Sequence, residues 1–219
     1  MSKPQVIIHS GAPRLAVDAL RYLSVRTSGA TGRKLARALA NRGLGVRLIA
    51  NPSLELDAMI ALGIEVVPYE SREDLDRAVR ESLALAPAAT LIATAAINDY
   101  AVQQVSGAAS GETIRNFDSG KIPSGLSRLL IELRPAPKQI DCLAEWGHVG
   151  PLVACKYEAA GSVIASAKAL CQRVQARLVL ANSLCATVQA LVDLRGQVET
   201  FASREDVLSA LVERVIGWQ

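Results

Sequence analysis

The segment TLIATAAI, residues 90–97, is apolar on both faces. A run this short with no polar side is a strand covered above and below, which places it centrally in a parallel sheet. Such a sheet needs helices on both faces, and the chain supplies them by alternation. QVIIHSG (5–11), GVRLIAN (45–51) and IEVVPY (64–69) read as further short strands. Between them, SGATGRKLARALANRG (28–43) sets Leu35, Ala38 and Leu39 on one helical face and stops at Gly43. SREDLDRAVRESLAL (71–85) opens with a serine cap and early acids, as a helix N-terminus should. This β-α-β-β-α-β order predicts an α/β fold: a Rossmann-like, doubly wound, mostly parallel sheet with helices on both faces.

The second half continues the pattern. LLIELRP (129–135), PLVACKYE (151–158), ARLVLAN (176–182) and TVQALVDL (187–194) read as strands, with a helix near 163–174. QVETFA (197–202) reads as a hairpin partner, giving a C-terminal β-hairpin extension, and SREDVLSALVERVIGW (203–218) as a capped final helix. With 219 residues, half of them hydrophobic, the chain suits one domain over 1–219. One stretch breaks the regularity. SGAASGETIRNFDSGKIPSG (106–125) has no period and is rich in Gly and Ser, which predicts a flexible strap loop over about 103–126.

Doubly wound sheets bind ligands beyond the carboxyl ends of their strands. Here those ends are His9-Ser10-Gly11, Asn51 and Ala96 to Tyr100. RYLSVRTSGATG (21–32) adds Arg21, Arg26, Thr27, Ser28, Gly29 and Gly32 just ahead of a helix. Glycines admit close backbone approach, and a helix N-terminus offers unpaired donors to an anion. The stretch suits a phosphate; it also reads as an N-capped surface helix with incidental arginines. It is neither a Walker loop nor, after the first strand, a GxGxxG fingerprint. Asp99 sits where a ribose, metal or base is met, or else makes an Asx turn. Lys121, flanked by glycines, could close over an anionic substrate or simply be solvated. Asn182 caps a turn or donates into a site.

Composition narrows the partners. Aromatic content is 4% and the net charge +3, with basic residues scattered, so neither a stacking platform nor a basic stripe for nucleic acid is present. A small anionic ligand fits better. Cys142, Cys155, Cys171 and Cys185 lack paired spacing and lie in or beside apolar runs, as buried reduced thiols do. With only His9 and His148 to join them, no protein metal site is expected. No run reaches the roughly 18 apolar residues of a membrane span, and MSKPQVIIHS is too short in apolar residues for a signal peptide. A cytoplasmic location with no membrane partner is expected.

Taken in order, these features resemble the phosphopantothenoylcysteine synthetase (phosphopantothenate–cysteine ligase) family, closest to its stand-alone bacterial form. The family's Asp-x-x-Arg-x-Ile-Ser/Thr-Asn-x-Ser-Ser/Thr-Gly-x-x-Gly is met by Asp18, Arg21, Leu23, Ser24, Val25, Thr27, Ser28, Gly29 and Gly32. Its Ala-Ala-Val-x-Asp-Tyr is met by Ala95 to Tyr100, and its Lys-Ile strap by Lys121 and Ile122. Pro137 and Lys138 match a segment that opens a helix, Cys155 and Lys156 a Phe-Lys strand, and Ala181 and Asn182 a strand ending Ala-Asn.

The resemblance implies activation of the 4′-phosphopantothenate carboxylate by CTP or ATP, with Mg²⁺ arriving on the triphosphate, followed by attack of the cysteine amine. It implies a homodimer. Lys121 and Arg21 would be catalytic, Lys121 neutralising the acyl oxygen or α-phosphate and Arg21 holding the phosphopantothenate. Gly11, Ala12, Ser28, Gly29, Ala95, Ala96, Asp99, Pro137, Lys138 and Cys155 would meet the nucleotide. Arg173 fits one of two family lysines on the helix before the Ala-Asn strand; the other falls on Ala169, with Lys168 adjacent. Ser24, Val25 and Asn182 would complete the substrate side. Valine replaces the family asparagine at Val25 and offers neither donor nor acceptor, which points to the second half-reaction as the altered step. A diverged paralogue that binds a nucleotide and an anionic ligand is the alternative, and a non-catalytic Rossmann module a third.

Overall fold

Val6, Ile7 and Ile8 are all buried, and consecutive residues of a strand point to opposite faces. Val6 and Ile8 pack with Leu35, Leu39, Leu211 and Val215, while Ile7 packs with Leu75, Val79 and Leu83. Two apolar layers, one on each side of a single sheet, follow directly.

In the computed structural model, which describes residues 3–52, 56–117 and 120–219, the chain runs β1 (Val6–Ser10), β2 (Leu15–Ala16), β3 (Tyr22–Leu23), α1 (Ala30–Asn41), β4 (Val46–Ala50), α2 (Leu56–Ala61), β5 (Glu65–Pro68), α3 (Arg72–Leu85) and β6 (Thr90–Ala93). It continues through β7 (Tyr100–Ala108), β8 (Arg115–Asn116), β9 (Arg128–Pro135), β10 (Leu152–Glu158), α4 (Val163–Arg173), β11 (Leu178–Ser183), β12 (Gln189–Asp193), β13 (Val198–Thr200) and α5 (Arg204–Ile216). The main sheet has the order β13-β12-β11-β10-β6-β1-β4-β5. From β5 to β11 the pairing is parallel; β12 and β13 are antiparallel and form the expected hairpin extension. Helices α1 and α5 cover one face, α3 and α4 the other. The doubly wound, mostly parallel architecture is the one expected from the sequence.

Helix ends follow local chemistry. Ser71 and Asp74 satisfy each other's backbone N–H groups in a capping box at the start of α3. Ser203 accepts from the Asp206 N–H at the start of α5. Helix α1 ends in a Schellman arrangement, with Gly43 at φ 85° and Leu44 N–H donating to the Leu39 carbonyl.

Three segments depart from the sequence reading. The central strand stops at Ala93 rather than 97, because both Thr94 N–H and Thr94 Oγ1 turn back onto the His9 carbonyl, at 3.1 and 2.8 Å. The strap is more regular than a loop. Residues 100–108 form β7, paired antiparallel with β9 and β8 in a separate three-stranded sheet. LLIELRP is a strand, but of this second sheet. Gly107 sits where a Cβ would come within 2.5 Å of the Arg128 carbonyl, so the glycine that reads as loop permits close strand approach. Residues 118–119 of the strap lie outside the described residues. Finally, the segment after Pro137–Lys138 forms one 3₁₀ turn, Gln139–Asp141, and not a longer helix.

Among the described residues, no helix is long and apolar enough to cross a membrane. Cys171 is buried and Cys142 and Cys155 half-buried, but Cys185 is exposed, contrary to the buried thiol expected there.

Candidate active site

Strands β1 and β6 are neighbours from which the sheet grows in opposite directions. Their C-terminal tips open into a crevice of about 340 Å³. It gathers Val25, Ala95, Ala96, Asp99, Pro137, Lys138, Cys155 and Arg173, eight of the residues singled out from sequence. His9, Arg72, Gln139, Lys156 and Tyr157 also line it.

The glycines serve packing more than ligand approach. Gly29 caps α1 in the left-handed conformation (φ 66°) with no side-chain cap, and its carbonyl accepts from Ser10 Oγ at 2.7 Å. A Cβ on Gly32 would meet Ser10 and Thr94, so α1 lies hard against the tip of β1. Gly11 (φ 95°) leaves room for the Asn51 side chain, whose Oδ1 accepts the Ala12 N–H at 2.7 Å. Gly11, Ala12 and Gly29 do not line the crevice. Ser28 Oγ accepts from Ala30 N–H at 3.4 Å, and Ser24 Oγ donates to the Pro13 carbonyl at 3.1 Å. Neither lines the crevice. Ala95 and Ala96 line it, yet their N–H groups are spent internally: Ala95 on His9 Nδ1 (3.2 Å) and Ala96 on the Gly11 carbonyl (2.8 Å).

Arg21 does not line the crevice. Its guanidinium holds Asp18 Oδ2 at 2.5 Å and the Ile122 carbonyl at 2.8 Å, while Asp18 Oδ2 accepts the Ile122 N–H at 3.0 Å. These contacts, led by the Arg21 hydrogen bond, hold the Asp18 carboxyl far below the usual carboxylate range. The strap is clamped at buried Ile122, and Lys121 beside it is exposed, outside the crevice lining.

Around the crevice, cations are held by carboxylates. Lys138 pairs with Asp99 at 3.5 Å, Lys156 with Glu158 at 2.9 Å, and Arg173 with Asp141. Hydrogen bonds from Ser166 and then Lys156 keep the Glu158 carboxyl below its ordinary value. Arg72 pairs with Asp76 and donates to the Pro137 carbonyl, and Gln139 Nε2 donates to the same Asp76. This network fixes the Pro137–Lys138 segment. Lys168 points from the exposed side of α4 and does not reach the crevice. Asn182 is buried, with an Oδ1 that has no partner among the described residues. Arg204 bridges Thr31 Oγ1 at 2.6 Å and Gln189 Oε1 at 3.5 Å, binding α1 to α5 and β12.

Two side chains are kept neutral. Burial, with the Arg72 charge in second place, lowers His9 to about 4. Burial pushes the Cys155 thiol up to about 12. The sequence marks His9 only as a strand end, and does not mark Arg72, Gln139 or Arg204 as site residues. A histidine ending a strand at the point of reversal was the one legible signal; the others act through contacts distant in sequence. Among the described residues, no group of three or more His, Cys, Asp or Glu side chains could hold a metal ion.

Residues 1–211 match a family described as the DNA/pantothenate metabolism flavoprotein C-terminal domain. Over 183 residues the chain is 30% identical to the coenzyme A biosynthesis bifunctional protein CoaBC of Thermococcus kodakarensis. That match covers 82% of this chain but 41% of the relative's length. The fold is shared with the DNA/pantothenate metabolism flavoprotein from Streptococcus pneumoniae, at TM-score 0.79 and 19% identity, over 99% of this chain and 100% of that one. It is also shared with a Cab2 mutant in complex with phosphopantothenate-cysteine, at TM-score 0.73 and 14% identity, over 97% and 85% of the two chains.

Proposed function

The chain belongs to the family of the DNA/pantothenate metabolism flavoprotein C-terminal domain, and on that premise we propose that it is a ligase of coenzyme A biosynthesis, joining 4′-phosphopantothenate to cysteine through an acyl-nucleotide made from CTP or ATP. The observation that carries this reading is the crevice at the switch point, lined by Lys138, Lys156, Arg72 and Arg173. Each of these cations already has a carboxylate partner. Their positions around apolar walls suit a polyanion bearing an uncharged planar group.

The chemistry has two steps. A carboxylate oxygen of phosphopantothenate attacks the α-phosphorus, pyrophosphate leaves, and a mixed anhydride remains. The cysteine amine then attacks the acyl carbon; the nucleoside monophosphate leaves, the amine loses its proton, and an amide forms. Both steps require anions to be brought together and charge on oxygen to be stabilised. In this reading Lys121 supplies one ammonium group from the strap, one residue from the fixed point at Ile122. Arg21 acts by holding that point. Ser28 and Gly29, at the α1 terminus, meet the part of the nucleotide that extends beyond the crevice, Ser24 stands on the substrate side, and Asn182 offers its amide from the strand end. Mg²⁺ would be held by triphosphate oxygens and water, in keeping with its reluctance to dehydrate. Leu129 and Leu133, which share one face of β9 and are both exposed, suit burial against a second copy of the chain. Action in the cytoplasm belongs to the same reading.

One observation favours a second reading. Val25 lies in the crevice, 38% exposed, where the resemblance calls for an amide. A diverged paralogue would form the acyl-nucleotide, or bind its components, without making the amide. Pyrophosphate release from CTP or ATP with 4′-phosphopantothenate, with and without cysteine, separates the two. Release plus amide supports the ligase. Release without amide supports the paralogue, and no release with either nucleotide removes catalysis from both.

A further inference from the structure

We propose that His9 is a specificity-determining residue, whose Nε2–H at the crevice floor donates to an acceptor on the nucleobase. The inference rests on the nucleotide-dependent reading above and adds to it the group that reads the base.

His9 lies in β1 one residue before its tip, and its ring is 3% exposed. It shares the crevice lining with the apolar Ala93, Ala95, Ile140 and Leu170, and with Arg72, whose charge reaches the ring. The Ala95 backbone N–H points at Nδ1 from 3.2 Å. A backbone amide only donates, so Nδ1 is the unprotonated nitrogen and the ring proton of neutral His9 sits on Nε2. Burial and the neighbouring Arg72 keep the ring neutral at physiological pH. The tautomer is thus set by the fold.

Nε2 makes no hydrogen bond to a described residue and is not among the buried side-chain atoms left without a partner, so it keeps access to the open crevice that His9 lines. A donor placed there can give its hydrogen bond to an acceptor on a bound ligand. What kind follows from charge. The lysines and arginines that can neutralise phosphates have exposed side chains or stand in ion pairs. A neutral ring carries no charge with which to compensate a phosphate. It can satisfy the ring nitrogen or carbonyl of a flat, uncharged heterocycle. A single donor on the floor also discriminates, since a base that presents a donor at that point would leave two protons opposed.

The test is calorimetric titration of the whole chain with CTP, ATP and inorganic tripolyphosphate. His9→Phe keeps a ring and removes the donor; His9→Gln restores an amide N–H. We expect His9→Phe to weaken the preferred nucleotide about tenfold, the scale of one lost hydrogen bond. Tripolyphosphate should bind unchanged, and His9→Gln should recover part of the nucleotide affinity. Wild-type affinity in His9→Phe overturns the inference, as does an equal loss for nucleotide and tripolyphosphate. The wild-type chain gives a second readout that needs no variant. With only two histidines, ring nitrogen resonances are separable by NMR. His9 should show the Nε2-protonated pattern and shift with nucleotide but not with tripolyphosphate; an Nδ1-protonated ring, or no shift, rejects it. A wild-type chain that binds neither CTP nor ATP ends the ligase reading together with this one. A chain that binds nucleotide with a silent His9 ends this one alone.

Discussion

Asp18 and Ile122, 104 residues apart in the chain, are joined by a 3.0 Å hydrogen bond from the Ile122 N–H to Asp18 Oδ2. The Asp18 carboxylate also accepts from the Leu20 and Arg21 backbone and from the Arg21 side chain. Arg21 completes the ring by donating to the Ile122 carbonyl. A single carboxylate therefore organises the β2–β3 turn and the strap together, and Lys121 inherits its position from that clamp.

Replacing the carboxylate should free the strap. Asp18→Asn is expected to speed amide exchange at Ile122 about tenfold, the scale of one charge-assisted hydrogen bond, with the Val6–Ser10 strand unchanged. The pH dependence follows from direction. The folded Asp18 carboxyl is depressed below its unfolded value of about 3.9. Its contribution is complete above that value and is lost as pH falls through the folded one. Protection at Ile122 should stay level from neutral pH down to about 4 and decline only below it. A decline beginning at pH 6 would show that another group holds the strap.

Val25 offers a gain-of-function test. Its side chain faces the crevice and is 38% exposed, so a replacing amide would meet solvent or ligand rather than an apolar core. Val25→Asn should leave the melting temperature nearly unchanged, within roughly 0.5 kcal/mol of stability. Amide formation should rise relative to pyrophosphate release. An unchanged ratio would show that the valine is not what limits the second step.

Gly32 tests the packing role assigned to the glycines. A Cβ there would lie 2.5 Å from Ser10 Cβ and 2.6 Å from Thr94 Oγ1. Gly32→Ala should destabilise the chain by about 1–3 kcal/mol through overpacking, despite the better helix propensity of alanine. Denaturant unfolding measures it. A stabilised variant would mean that α1 can slide away from β1.

Cys185 should be the reactive thiol. It is exposed, and hydrogen bonds, first from Thr187 and then from Ser183, lower it to about 7. Iodoacetamide should label it before the others, with a rate that rises through pH 7. Thr187→Val should move that midpoint up toward the ordinary value of about 8.5. Cys155, pushed up to about 12 by burial, should stay unlabelled in the folded chain. Preferential labelling of Cys155 would contradict the packing described around it.

The legible parts of this chain are those where local pattern and tertiary surroundings agree. Strands β1, β4, β6 and β11 are largely apolar because both faces are covered, and Ser71 and Ser203 mark helix starts through their own hydrogen bonds. Strands β2 and β3 pair over only two residues each, too few for a period to show. Helix α2 spans six residues, shorter than two turns. Strand β7 was hidden by Ser106 and Gly107, whose small size serves the neighbouring strand. At the site, Ala95, Asp99, Lys138 and Cys155, singled out by the order of motifs, line one crevice. That order did not reveal that Arg21 is committed to Asp18, or that Ala95 fixes the proton on His9, since both depend on hydrogen bonds formed only after folding.

Helix α5 lies over the face to which β1 and α1 contribute, with Leu211 and Val215 against Val6, Ile8 and Leu39. Because translation proceeds from the first strand onward, the part of that face covered by α5 stays open, with α1 already in place, until residues 204–216 have left the ribosome. The nascent chain therefore carries a half-covered sheet for most of its synthesis.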